Sequence, residues 1–165
     1  MVNERRKKQN RAINDYSAPQ NTVVPESTTR HHLYLLNKIS DQQLKNIAQE
    51  CNKAIKATED NNMILALFHS RKVIENILVY AIEANKFIPK KSYRSATNLK
   101  ICRRNNFLDE DYVHSIEKAR EICGDNTHQI GYEELLTSDQ IQEVIEIICK
   151  VFDYVVDRYK PVYQA

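Results

Sequence analysis

Glycine stands at only two of 165 positions, Gly124 and Gly131, and proline at only four. Tight hairpins draw on residues that reach positive φ or preset a bend, so a chain this poor in both is badly supplied for a many-stranded sheet. Ile, Leu, Lys, Glu, Gln and Asn abound instead, and most of these favour helices. The expected class is all-α. A length of 165 residues suits one domain with a real core and is short for two.

Hydrophobic spacing divides the chain. Residues 1–32 hold six Lys and Arg against three acids, with no sustained apolar period. They read as a mobile basic tail, either a solvated leader, a nucleic-acid-binding arm or a partner-docking peptide. Residues 33–162 read as one helical domain. Ser40 with Gln43 forms a capping-box pattern, and Leu44, Ile47, Ala48, Cys51 and Ile55 follow at helical spacing, which predicts a helix over 41–57. A longer helix over 61–85 is apolar around much of its circumference, the mark of a central element. Shorter helices are expected over 95–104 and 109–123. Thr137 with Gln140 forms a second capping box ahead of an apolar stripe from Ile141 to Tyr159. The architecture predicted is an up-and-down bundle of five helices.

The formal net charge is only +2, but the charges are segregated. Between Ala84 and Leu108 stand Lys86, Lys90, Lys91, Arg94, Lys100, Arg103 and Arg104 with no acid among them. From Asp109 to Ile147, eleven acids face only Lys118 and Arg120. With Phe87 and Tyr93 nearby, the basic stretch reads either as an RNA track, in which cations meet phosphates and rings stack bases, or as a solvated loop balancing the acidic segment.

Cys51, Cys102, Cys123 and Cys149 lie more than twenty residues apart, so they form no metal-ligand spacing and read as reduced core thiols of a cytoplasmic protein. No run of 18 apolar residues suggests a membrane span, and the polar start "MVNERRKKQNR" lacks the apolar segment of a secretion signal. Nucleotide-binding glycine loops and HExxH are absent, so neither a cofactor nor a metal is expected.

What remains is "REICGDNTHQ", residues 120–129. On a continuous helix, Arg120 and His128 would stand about 12 Å apart along the axis. Gly124 is suited to end the helix and let the chain fold back, so that a guanidinium and an imidazole approach one phosphate. Such a pair suits RNA cleavage by its own 2′-hydroxyl, with histidine moving the proton and arginine steadying the phosphate charge. Asn126 or Asp125 would orient the histidine or the phosphate. The competing reading is ordinary helix-cap chemistry. Upstream, Arg71 and Glu75 face each other at i, i+4, either as a structural ion pair or as support for a site.

The order "ALFHSRKVIENIL", a basic connector, "KAREICGDNTH" and a long amphipathic final helix resembles the HEPN superfamily over roughly residues 41–160. It is most similar to a bacterial branch with arginine, glycine, asparagine and a closing histidine in one segment. The resemblance implies a dimeric helical domain. In active members it implies a metal-independent endoribonuclease acting as a toxin or antiviral defence effector, with Arg120 and His128 as the composite pair and Arg71 with Glu75 behind it. Other members only dimerise or dock partners. A homodimer, RNA and a protein partner such as an antitoxin are therefore the expected partners, with no membrane.

Overall fold

A computed structural model describes residues 33–87, 94–124 and 136–159, all within the compact unit His31–Ala165. Five α-helices carry these residues: α1 (Gln42–Glu59), α2 (Met63–Ala84), α3 (Ser95–Arg104), α4 (Glu110–Gly124) and α5 (Ser138–Tyr159). A short 3-10 turn, Leu36–Lys38, precedes α1, and no strand occurs among the described residues. The protein is an all-α bundle. α2 packs against each of the other four helices, the central place that its broad apolar surface predicts.

Local chemistry sets the helix starts. The pattern at Ser40 points to a cap there, but Asp41 takes the position: its Oδ1 accepts from the Leu44 amide at 2.9 Å. A carboxylate both binds the orphan amide and meets the positive end of the helix dipole, which gives it an advantage over the neighbouring hydroxyl. Asn62 caps α2 through the Leu65 amide at 3.1 Å. At α5 the expected box is complete. The Gln140 amide donates to Thr137 Oγ1 at 3.2 Å, and the Thr137 amide donates to Gln140 Oε1 at 2.9 Å.

The helix stops show how a chain with two glycines still turns tightly. Asn61, Lys86 and Asn106 hold φ of 56°, 54° and 52°, just past α1, α2 and α3. Each stop is closed by the same long backbone bond: Asn62 to Ala57, Phe87 to Ile82 and Phe107 to Cys102, at 2.8, 3.2 and 2.9 Å. This is the Schellman closure, with asparagine or lysine where glycine is usual. Lysine has no local hydrogen bond to offset the left-handed geometry, so Lys86→Gly is expected to raise stability by about 0.5–1 kcal/mol, measured by urea unfolding. An unchanged or lower midpoint would show that the Lys86 backbone is not strained.

The core is one cluster drawn from all five helices. From α5 it takes Ile141, Val144, Ile145, Ile148, Val151, Phe152 and Val155, nearly the whole stripe visible in the sequence. Residues ahead of α1 are fastened to it. The Asn52 side-chain amide accepts from the Tyr34 backbone N–H at 2.7 Å and donates to its carbonyl at 2.9 Å. The Tyr34 ring then meets Phe152 edge-on, 4.8 Å between centroids, and its hydroxyl donates to Asp153 Oδ1 at 2.9 Å.

The four cysteines are free thiols, with Cys51, Cys102 and Cys123 buried. Burial pushes the Cys102 and Cys123 thiols up to about 12, which leaves them as small core groups without nucleophilic character at neutral pH.

Candidate functional site

α4 carries Arg120 on its last full turn, directly above the first residue of α3. Arg120 is half-buried, and its Nε donates to Ser95 Oγ at 3.1 Å. Among the described residues no carboxylate lies within ion-pair distance of Arg120. The cap position of α3 is held by the exposed Arg94, whose side chain makes no cap hydrogen bond to the first-turn amides. A guanidinium and a helix N-terminus thus meet at Ser95, and both favour negative charge.

Arg71 approaches the same end of the bundle from α2. Its Nε donates to Glu75 Oε1 at 3.0 Å, with the two side chains 38 % and 42 % exposed. The pair is therefore not sealed in the core. Burial raises the Cys123 thiol and the Arg71 charge opposes that rise, which places Arg71 in electrostatic reach of Cys123 on α4. Asp125, Asn126 and His128 lie outside the described residues, as do Lys90 and Lys91.

The basic stretch divides on folding. Lys100 and Arg104 are exposed on the outer face of α3, opposite the buried Asn98, Leu99 and Cys102. Arg103 is occupied. It grips Glu117 with both terminal nitrogens, at 3.0 and 2.8 Å, and reaches Glu110 through Nε at 3.1 Å. The fork geometry fits a carboxylate well, and the hydrogen bonds from Arg103 hold Glu117 below the usual carboxylate range. The basic and acidic segments meet within one chain, through α3 and α4.

A second group of charges had no signal in the sequence beyond an acid on an apolar helix face. Glu50, 8 % exposed, sits on α1 among Ile47, Ala48, Cys51 and Ala54. Its Oε2 is 2.7 Å from His69 Nδ1, and its Oε1 is 3.0 Å from Lys53 Nζ and 3.8 Å from Lys72 Nζ. Burial works to raise the carboxyl, but the hydrogen bonds from Lys53 and His69 outweigh it, and the group lies below its ordinary 4.5. A depressed carboxylate contributes stability above its unfolded value and loses it as pH falls through the folded one. The stability advantage of wild type over Glu50→Gln is therefore expected to be full near neutrality and to shrink as pH drops below 4.5. Urea midpoints at stepped pH measure this, and parallel curves would show that Glu50 titrates as it does in the unfolded chain.

Beside Glu50, a groove of about 460 Å³ opens between α1, α2 and the residues ahead of α1. Leu33, Leu36, Ala57 and Leu65 give it apolar walls, and Lys53, Lys56 and His69 also line it. Next to it α2 exposes Ile64 (79 %) and Phe68 (53 %), although the sequence reads this helix as central along its length. One face of its first two turns is left uncovered, while Ala66 and Ser70 on the other face are buried.

Among the described residues no three His, Cys, Asp or Glu side chains gather as a metal site, and no helix is long and apolar enough to cross a membrane. No family model, curated protein or solved structure matches the chain.

Proposed function

We propose that the protein is a metal-independent endoribonuclease, working as a homodimer and acting as a toxin or antiviral defence effector. The observation that carries this reading is the state of Arg120. Arg103 and Arg158 are consumed by carboxylates, whereas among the described residues Arg120 rests on a neutral hydroxyl at the N-terminus of α3. No carboxylate among the described residues takes up its positive charge, and a phosphate diester suits a forked donor beside backbone amides.

In the proposed reaction the 2′-oxygen of RNA attacks the adjacent phosphorus and the 5′-oxygen leaves. His128 takes the 2′-proton and returns a proton to the leaving oxygen, so the products are a 2′,3′-cyclic phosphate and a 5′-hydroxyl. Arg120 steadies the charge that builds on the phosphate oxygens. Asn126 and Asp125 orient the reacting groups, and the Arg71–Glu75 pair supports them. Lys100 and Arg104, with Arg94, Lys90 and Lys91, guide the RNA backbone. The test is cleavage of single-stranded RNA by the full chain in excess chelator, with end-group analysis of the products.

A second reading is a dimerising, partner-binding module with no chemistry. The apolar surface at Ile64 and Phe68 favours it, because single exposed hydrophobes are common but adjoining ones beside an apolar groove mark contact surfaces. Absence of cleavage in every RNA and buffer tried would decide for the module.

A further inference from the structure

The groove beside Glu50 combines apolar walls with a rim in which lysines outnumber acids. Leu65 and His69 line it from α2, and the His69 ring meets Phe68 edge-on at 5.3 Å, so groove and exposed Phe68 form one surface. Lys53 and Lys56 line it, and Lys72 stands beside it, over the Phe68 ring and 3.8 Å from Glu50; the three side chains are 46 %, 64 % and 45 % exposed. Glu50 lies beneath the surface, only 11 % of its side chain exposed. It pairs with Lys53 and Lys72 from below, while nearly half of each lysine side chain stays exposed. Asp60, paired with Lys56, is the one acid among the described residues that line the groove.

We infer that this groove is a docking site for an acidic amphipathic helix of another protein. The helix would lay apolar residues at i, i+3, i+4 and i+7 along Leu33, Leu65 and Phe68, and place flanking carboxylates on Lys53, Lys56 and Lys72. Charge selects this occupant. A second copy packed face to face on the same patch would set lysine rim against lysine rim. Residues 1–32 of the chain carry six Lys and Arg against three acids, again the wrong sign. An acidic helix satisfies both the apolar walls and the rim. The inference concerns a different face from Arg120 and stands whether or not the chain cleaves RNA.

The test uses full-length protein and two synthetic helical peptides with the same leucine stripe, one flanked by Glu and the other by Lys. Fluorescence anisotropy is expected to show the Glu peptide binding at least about tenfold tighter, a gap that narrows in salt. Phe68→Ser weakens the Glu peptide, and Lys56→Glu erases the preference. Both positions are exposed, and melting curves verify that each variant is folded. Equal affinity for the two peptides, no binding of either, or binding indifferent to Phe68→Ser would overturn the inference. So would concentration-dependent self-association abolished by Phe68→Ser, since the occupant would then be a second copy.

Discussion

If the chain cleaves RNA as proposed, Arg120→Ala is expected to lower the rate by about 10²- to 10³-fold, the loss typical when one preorganised donor to a developing anion is removed. His128→Ala lowers it by about 10²- to 10⁴-fold, as expected for a general acid and base. Initial rates on a labelled oligonucleotide with chelator present measure both. Stability should hardly move with Arg120, because its described anchor is a single hydrogen bond to Ser95, worth about 1 kcal/mol. A large rate loss with a near-normal melting curve therefore separates a site from a structural role. Arg120→Lys sharpens the result: it preserves charge but not the fork, and is expected to recover only part of the rate. Undiminished cleavage in His128→Ala would remove that residue from the mechanism, and full activity in Arg120→Ala would remove the phosphate clamp.

Phe152→Ala is expected to destabilise the protein by about 3–5 kcal/mol, read from urea or thermal unfolding. Phe152 is 1 % exposed, lies among the largest fully buried side chains, and receives the Tyr34 ring edge-on. Truncation loses the ring's own burial and leaves a cavity at the junction of α5 with the residues ahead of α1. It also loosens the Tyr34 clamp, whose hydroxyl reaches Asp153 one residue further along α5. Tyr34→Phe, which retains the ring and removes that hydroxyl, should cost far less, about 1 kcal/mol. Similar losses for the two variants would show that the hydrogen bond, not the aromatic packing, fastens this segment.

Much of the bundle is legible in the chain. The α5 stripe and the Thr137–Gln140 box can be read directly, because both depend on residues three or four apart that a helix brings together automatically. The first cap is nearly legible. Ser40 and Asp41 are both able caps, and the competition is decided by a carboxylate's stronger hold on the Leu44 amide. The left-handed stops are less so, since lysine at φ 54° runs against its own preference and is held there by the closure from Phe87 to Ile82.

The candidate site divides along the same line. Arg71, Glu75 and Arg120 can be nominated from spacing and residue type alone, but Ser95 as the partner of Arg120 cannot, because 25 residues separate them. Nor can the loss of Arg103 to Glu117, which turns one member of a uniform-looking basic run into an internal ion pair. The sequence by itself determined the class of fold and the helices, since those follow from local propensity and periodic burial. Only the tertiary structure decided which charges pair with one another among the described residues, and which face of α2 stays uncovered beside the lysine-rimmed groove, since those depend on groups that meet through space.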